Sequence, residues 1–299
     1  ICEGLVGSEM CIRDSYNLGL LLKANSDFAG ALKNFHKAVS LDKEFAEAEC
    51  ELAIALSKSG DFETARNHFL NSLEINPNYA DAYFYYALLL VEIKDVEEAK
   101  NNFDKVTEIN QNYAPAYFNK AKLLTNGDDY EEARKNYETA IDIDEDYTEA
   151  HYYMAKLLSG GIATDKEGTI VDRTDLPQAK KHLLKVIELD KDHAKACYNL
   201  GRIYGIEEDF KNSKTFLVRA LKINPEYSKA HLLLANAYER FQKFDDAKKH
   251  FSLSIQFFKE NALAHFRLGV RLYLEGEFSE SEKHLKASIS IEAQNAEAN

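Results

Sequence analysis

The chain has 299 residues and a formal net charge of -13, from 37 basic and 50 acidic side chains. This acidic balance gives no electrostatic support for a general role in binding nucleic acid, because phosphate backbones attract basic surfaces. Hydrophobic residues make up 45% of the chain and charged residues 29%, which is ordinary for a folded protein, and no apolar run reaches the roughly 18 residues of a membrane span.

Residues 1–15 differ from everything that follows them, and we predict that they derive from a DNA adapter. The segment Leu5–Ser15 reads LVGSEMCIRDS and back-translates to a sequence that resembles an adapter of transposase-based library preparation. From the second repeat described below, the third position of each first helix is alanine, whereas the first repeat has Asp14 there. The alternative is a genuine, divergent N-terminus. Vector and adapter sequences are set aside before a fold is inferred.

A short motif recurs at a fixed interval from Tyr16 onward. The segment GDFETA at residues 60–65 has seven relatives along the chain. The alanine or serine that ends each copy lies at Ala31, Ala65, Ala99, Ala133, Ala179, Ser213, Ala247 and Ser281. Six of the seven intervals are 34 residues and one is 46. A period of this size indicates a repeat protein in which each repeat is one supersecondary unit.

Each repeat is predicted to form two helices joined by a short turn, because apolar residues recur at helical spacing with Asp or Asn between them. A column of small residues in the first helix allows the two helices to approach closely. These residues are Gly19, Ala53, Ala87, Ala121, Ala155, Gly201, Ala235 and Gly269. A bulky column in the second helix fills the remaining space. It contains Phe35, Phe69, Phe103, Tyr137, Leu183, Leu217, Phe251 and Leu285.

The connecting residues have the chemistry of helix ends. Four aspartates are placed to cap the second helices, namely Asp61, Asp129, Asp175 and Asp209. Pro177 lies in the first turn of one second helix, where a missing N–H is tolerated. Pro77 and Pro225 follow second helices and prevent their continuation.

The segments YNLGLLL at 16–22 and YNLGRIY at 198–204 resemble the tetratricopeptide repeat, a 34-residue helix-turn-helix unit. The resemblance implies an all-α, right-handed superhelical solenoid of antiparallel helix pairs, since one pair cannot bury its apolar face alone. The predicted repeats are about 16–45, 46–79, 80–113, 114–147, 148–193, 194–227, 228–261 and 262–295, with the start of a ninth at 296.

Several residues depart from the family pattern. The large aromatic residue that is usual early in the first helix is replaced at four positions, which are His151, Cys197, His231 and His265. Lys120 occupies a column that is otherwise Leu, Tyr or Met. A buried, unpaired lysine is costly, so we expect Lys120 to reach water or to find a carboxylate.

The fifth repeat is 12 residues longer than the others, and the extra residues lie between its helices in Gly160–Thr174. Gly160 and Gly161 are predicted to end the first helix. Ile170 and Val171 then predict a small hairpin or a flap. The insertion is either a contact site for a partner or a tolerated insertion without a role.

The sequence contains no recognisable catalytic or phosphate-binding motif. His193 and Cys197 are four residues apart and share a helix face, but two ligands do not make a zinc site. We therefore predict no catalytic residue, no metal site and no cofactor. A column of second-helix histidines is predicted to be partly exposed surface. It contains His68, His182, His250 and His284.

The resemblance implies that a peptide or partner helix binds the concave side, which the first helices line. One first-helix column is aromatic in six of eight repeats, with Tyr16, Cys50, Phe84, Phe118, Tyr152, Tyr198, Leu232 and Phe266. Its neighbouring column adds Tyr85 and Tyr153. These rings either form an exposed aromatic ladder for recognition or pack between adjacent repeats. The candidate ligand-binding residues are Phe84, Tyr85, Phe118, Asn119, Tyr152, Tyr153, Tyr198, Asn199, Arg202, Lys195, Lys229, Asn236, Phe266 and Arg267.

Charge changes along the same face. The earlier repeats carry Glu47, Glu51, Asp81 and Glu149, and the later repeats carry Lys195, Arg202, Lys229 and Arg267. This pattern predicts a bipolar groove whose ligand has its basic part near repeats two to five and its acidic part near repeats six to eight. The Lys and Asn set with which some family members clamp a chaperone C-terminus does not assemble in register here.

These features predict a non-enzymatic protein-protein interaction scaffold that binds a peptide or partner segment in its aromatic-lined groove. The alternative is a docking or regulatory arm of a larger enzyme whose catalytic domain lies outside this sequence. Neither nucleic-acid binding nor membrane insertion is expected, and the oligomeric state is left open.

The chain ends and the cysteines bear on the extent of the natural chain and on the compartment in which the protein is expected. We expect the natural chain to begin upstream of Tyr16 and to continue beyond Asn299. Without residues 1–15, Cys50 and Cys197 remain, too far apart in the repeats for a disulfide. A soluble protein is therefore expected, with the cytoplasm favoured as a reducing compartment, although such a pair is also compatible with an oxidising one.

Overall fold

The computed structural model describes residues 9–164, 170–172 and 174–298. These residues form sixteen helices and one two-stranded sheet. Their contacts divide the chain into two compact units, Ile1–Glu145 and Asp146–Asn299. They are called the N-terminal unit and the C-terminal unit below.

The N-terminal unit consists of four helix pairs in which consecutive helices pack against each other. Its helices are α1 (Glu9–Ala24), α2 (Phe28–Leu41), α3 (Ala46–Ser59), α4 (Phe62–Ile75), α5 (Ala80–Glu92), α6 (Val96–Ile109), α7 (Ala114–Asn126) and α8 (Tyr130–Ile143). The predicted starts of the second, third and fourth repeats coincide with the first residues of α3, α5 and α7. The all-α architecture of stacked helix pairs is confirmed.

The C-terminal unit has the same plan with one insertion. Its elements are α9 (Thr148–Leu158), β1 (Ile162–Thr164), β2 (Ile170–Asp172), α10 (Leu176–Leu189), α11 (Ala194–Ile206), α12 (Phe210–Ile223), α13 (Ser228–Arg240), α14 (Phe244–Phe257), α15 (Ala262–Leu274) and α16 (Phe278–Ala298). The strands are antiparallel, with Ile162 opposite Asp172 and Thr164 opposite Ile170. The insertion thus contains the predicted hairpin, while residues 165–169 and 173 lie outside the described part.

The predicted start of a ninth repeat at residue 296 lies within α16, which continues to Ala298. In five earlier repeats an Asn or Asp at the end of the second helix accepts a hydrogen bond from the N–H two residues later. These acceptors are Asp42, Asn76, Asn110, Asp190 and Asn224. Such a turn competes with further helix. Glu292 stands in that column and is a good helix former, so the helix is not interrupted there.

The turns inside the repeats follow the predicted chemistry. The carboxylates of Asp61, Asp175 and Asp209 accept hydrogen bonds from backbone N–H groups three residues later, at 3.1–3.2 Å. Each therefore satisfies one of the free donors at a helix start. Asp129 occupies the same N-cap position before α8. The turn preceding α4 uses Gly60, whose φ of 86° is the left-handed conformation that glycine adopts without strain.

The small and bulky columns pack against each other as predicted. Phe35, Phe69 and Phe103 are buried, as are Tyr137, Leu183, Leu217 and Phe251, whereas Leu285 in the last repeat is half-buried. The fit is tight where the small residue is glycine, because a Cβ added to Gly201 would lie 2.6 Å from Cγ of Leu217. Interior packing at this density leaves no room for another methyl group.

Candidate functional site

In the N-terminal unit, the aromatic column of the first helices is mostly covered. Phe84 and Phe118 are only 8% and 6% exposed, so of the two alternatives the packed arrangement, and not the exposed ladder, holds at these positions. The ring centroid of Phe84 lies 6.0 Å from that of Phe103 and 5.1 Å from that of Tyr113. The packing of Phe84 against these two rings explains why it is buried. Tyr85, in the next column, remains 36% exposed.

In the C-terminal unit, the same column is half-buried by the residue that precedes the next first helix. Tyr152 packs on His193, and Tyr198 packs on Tyr227, each with ring centroids 4.9 Å apart. Burial raises the pKa of Tyr198, and it raises the pKa of Tyr227 to about 12. These phenols stay protonated and can donate hydrogen bonds. Phe266 is the exception, with 45% of its surface exposed.

Some of the polar candidate residues on the first helices form hydrogen bonds within their own helix. The side-chain amides of Asn119 and Asn199 donate to the carbonyl oxygens of Pro115 and Lys195, at 2.8 and 2.9 Å. Lys195 itself is exposed, as are Lys229 and Arg267, whereas Tyr153 is half-buried. The two asparagines therefore have fewer free donors than the sequence suggested.

The acidic face of the N-terminal unit is partly neutralised. Glu51 forms an ion pair with Lys23 at 2.5 Å. Asp81 accepts a hydrogen bond from the hydroxyl of Tyr113 at 2.7 Å. Both carboxylates consequently have partners within the unit, which weakens the negative end of the predicted bipolar surface.

Each unit has a cavity at the same place in the repeat, between the two helices of one repeat and the first helix of the next. We call them the N-terminal notch, of about 590 Å³, and the C-terminal notch, of about 630 Å³. The N-terminal notch is lined by residues that include Ile54, Phe62, Tyr85, Leu88 and Glu92. In the same register, the C-terminal notch has Arg202, Phe210, Leu233, Asn236 and Arg240, and Arg267 also lines it.

The chemistry of the two notches differs although their architecture is shared. Ile54 is replaced by Arg202, Leu88 by Asn236 and Glu92 by Arg240. The N-terminal notch is therefore mainly apolar, with Lys23 and Lys58 at its edge. The ammonium group of Lys58 lies 5.4 Å from the ring centroid of Phe28.

The arginines of the C-terminal notch have no carboxylate partner among the described residues. The Nη2 group of Arg202 donates to the Oγ and carbonyl oxygen of Ser159, at 2.9 and 3.3 Å. The guanidinium of Arg240 lies 5.3 Å from the ring centroid of Phe210. Stacking of this kind leaves the N–H groups at the edge of the guanidinium available.

Asn236 supplies a second unusual feature of the C-terminal notch. Its side-chain oxygen Oδ1 is buried and accepts no hydrogen bond from the described part of the chain. A buried polar atom without a partner is uncommon and calls for an explanation such as a bound group. Glu208 and Glu239 also line the notch, so its surface is not uniformly basic.

The structure thus assembles only part of the predicted binding set. Arg202, Asn236 and Arg267 come together in the C-terminal notch, and Tyr85 lines the N-terminal notch. Arg240, which the sequence reasoning did not single out, completes the arginine group. Reading the last turn of each first helix as a further column would have found it.

The histidine column contains an arrangement that the sequence did not predict. His182, His250 and His284 each face a first-helix histidine of the same repeat, with 2.8–2.9 Å between Nδ1 atoms. The pairs are His151–His182, His231–His250 and His265–His284. In the described residues, no group of three or more His, Cys, Asp or Glu could hold a metal ion.

His193 and Cys197, which the sequence places on one helix face, have local structural roles. Nδ1 of His193 accepts a hydrogen bond from the N–H of Ala196 at 3.0 Å and so caps α11. Cys197 is buried, and burial raises the pKa of its thiol.

In the part of the chain that the structure describes, no helix is both long and apolar enough to cross a membrane.

Stacked helix pairs of 34 residues, with small and bulky columns between them, define a helical repeat protein. Four models of the tetratricopeptide repeat match the chain, at residues 56–123, 123–159, 194–227 and 232–297. These spans together cover more than half of the sequence. The chain belongs to the tetratricopeptide repeat family.

Solved structures support the same fold. YrrB, described as a tetratricopeptide repeat protein with an unusual peptide-binding site, is 26% identical, with a TM-score of 0.52 over 66% of this chain and 95% of its own. PilF from Pseudomonas aeruginosa is 17% identical, with a TM-score of 0.62 over 79% of this chain and 98% of its own. The C-terminal part of a repeat protein from Cytophaga hutchinsonii is also 17% identical, with a TM-score of 0.63 over 83% of this chain and 97% of its own. A comparison with curated protein sequences finds no match.

Proposed function

We propose that this protein is a non-catalytic interaction scaffold that binds peptide segments of a partner on its first-helix surfaces. The observation that carries the proposal is the pair of notches at equivalent positions in the two units. Each is large enough to hold one or two side chains of a peptide. The similarity to YrrB, whose description names a peptide-binding site, supports the same reading.

The location of the notches favours recognition over simple structural packing. Their walls combine residues from successive repeats, so a peptide seated in one notch contacts two repeats at once. The exposed Tyr85 and Phe266 provide large apolar surfaces on the same first helices. Aromatic side chains of this kind contribute strongly to peptide and protein interfaces.

A peptide-display selection tests the proposal. The purified full chain would be used as bait for a library of random 12-residue peptides, and selected peptides would be measured by fluorescence anisotropy. Leu88→Trp combined with Asn236→Trp fills both notches and is expected to weaken binding at least tenfold. The control, Leu184→Trp, changes an exposed residue of a second helix and should leave binding unchanged.

Folding of each variant would be checked by circular dichroism and thermal melting. The proposal fails if no peptide is enriched over an empty matrix. It also fails if the filled variant is folded and binds the selected peptides as tightly as the unmodified chain.

A further inference from the structure

We propose that the C-terminal notch binds an acidic side chain of a peptide, with Arg240 and Arg267 contacting the carboxylate and Oδ1 of Asn236 accepting a peptide N–H. This inference rests on the function proposed above and adds the chemistry of the ligand. It concerns the C-terminal unit alone.

The first argument is the state of the arginines. The chain has more acidic than basic side chains, and Arg66, Arg134 and Arg271 each have a carboxylate within 3.1 Å. The three arginines of the C-terminal notch have none in the described structure, although they lie around a single cavity. A guanidinium offers several donors in one plane, which match the two oxygens of a carboxylate.

The second argument is Asn236. Its unpaired, buried oxygen needs a donor, because leaving a buried polar atom without a hydrogen bond is unfavourable. A carboxylate has no donor to offer when it is ionised. The backbone N–H of a peptide that carries the carboxylate provides one, so Asn236 and the arginines together recognise an acidic residue rather than a free anion.

The third argument comes from the equivalent cavity. In the N-terminal notch the positions of Arg202, Asn236 and Arg240 are taken by apolar or acidic residues. The basic character is therefore not a consequence of the repeat architecture. It belongs to this one notch, which makes the other notch an internal control.

The remaining charges limit the class of ligand. Glu208 and Glu239 line the same notch, and their carboxylates repel a long polyanion such as nucleic acid. A single carboxylate on a peptide is repelled much less than a polyanion, because it brings only one negative charge to the arginines. The notch thus fits an Asp or Glu side chain within a peptide segment.

The experiment uses the random 12-residue display library on the full chain, and each selected peptide is synthesised in two forms, with an amidated C-terminus and with a free C-terminal carboxylate. We expect the selected peptides to share an Asp or Glu at one position. Arg240→Glu with Arg267→Glu should weaken their binding at least tenfold. Replacing the shared acidic residue by Lys should restore binding to this variant, and Lys222→Glu, an exposed change on α12 with the same sign of charge, should have little effect.

Asn236→Leu tests the oxygen separately and is expected to weaken binding severalfold while the thermal melting temperature is kept or raised. The inference is overturned if peptides bind without a shared acidic residue, if the arginine variant is folded and binds normally, or if only peptides with a free C-terminal carboxylate bind. In those cases the proposed scaffold function stands. If no peptide is enriched at all, both proposals fail.

Discussion

At the scale of single residues, the paired histidines have defined proton positions. Nε2 of His231 is 2.9 Å from the carbonyl oxygen of Pro225, and only an N–H can bond a carbonyl. Neutral His231 therefore carries its proton on Nε2, and its Nδ1 accepts from Nδ1–H of His250. His265 repeats this arrangement, with Nε2 3.2 Å from the carbonyl oxygen of Lys259.

Acid is expected to destabilise the C-terminal unit through these pairs. Burial, together with His231 and Lys249, lowers the pKa of His250 from about 6.5 to about 4, against a smaller opposing effect of Asp246. The pKa of His231 is also lowered by burial, against its bond to Pro225. The unfolded chain thus binds more protons than the folded one between these values. The contribution of the neutral histidine pair to stability is therefore fully present above about pH 6.5, and it is lost as the pH falls towards 4.

The measurement is thermal melting of the full chain between pH 7.5 and 4.5. His231→Gln with His250→Gln removes one pair and should flatten the decline relative to the unmodified chain. His36→Gln is the control, because this histidine is exposed and is not one of the three histidine pairs. An equally steep decline in the double variant would show that the pair does not contribute.

Lys120 shows how far the sequence can predict a buried charge. Its side chain is only 14% exposed, and Nζ lies 2.7 Å from Asp104 and 3.0 Å from Glu132. The expected carboxylate partner is therefore confirmed. Burial opposes its charge, but the hydrogen bonds to the two carboxylates outweigh this effect and raise the pKa of Lys120.

Lys120→Met removes the ammonium group, but Asp104 and Glu132 are 45% and 46% exposed and stay hydrated, so the free energy of unfolding should fall by less than about 1 kcal/mol. Lys120→Glu should lower it by about 2 kcal/mol or more, since it brings a third carboxylate to Asp104 and Glu132. Urea unfolding of both variants provides the comparison. If the two variants unfold with the same free energy, the charge at position 120 does not matter for stability and the argument from its two carboxylate partners is wrong.

At the scale of helices, the close approach inside each repeat depends on its small column. Gly201→Ala is expected to destabilise the chain by about 1–3 kcal/mol, because the added Cβ would lie 2.6 Å from Cγ of Leu217 and 3.2 Å from the carbonyl oxygen of Ser213. Gly205 lies in the same helix, with its nearest contact at 3.5 Å. Gly205→Ala should therefore be neutral or stabilising by up to about 1 kcal/mol. Chemical denaturation distinguishes them, and a harmless Gly201→Ala would refute the packing argument.

The helices were predictable because their pattern is local. Columns such as Ala53 and Phe69 repeat with a fixed period, and that period sets both the helices and their pairing. The exposure of Phe84 was not predictable in the same way, because it depends on Phe103 and on Tyr113 at the next repeat boundary. A column shows which residues share a helix face, but not how much of each ring the neighbouring repeat covers.

The notches illustrate the same limit. Arg202 and Arg267 were among the candidates, since their charges could be read from the columns. Arg240 was missed because it lies in the last turn of α13, outside the columns from which the candidates were taken. The unpaired oxygen of Asn236 depends on the complete set of surrounding donors, which only the folded unit supplies.

At the scale of the whole molecule, two units share one repeat plan and differ in the side chains of equivalent notches. A repeat protein separates these two levels, because its structural columns maintain the helix pairs while other columns are free to vary. Family membership therefore follows from the structural columns. The ligand has to be sought in the variable ones, as the contrast between Leu88 and Asn236 shows.

The adapter prediction also concerns the whole molecule, because it decides which residues belong to the natural chain. The alanine column that includes Ala48 and Ala82 is fully buried in the described repeats, whereas Asp14 in the same column is exposed. An alanine at this position would match every later repeat. Sequencing the locus without a transposase adapter is expected to show no LVGSEMCIRDS upstream of Tyr16 and to place alanine in the position of Asp14. If the locus encodes LVGSEMCIRDS, the segment is a genuine divergent first helix and the adapter origin is wrong.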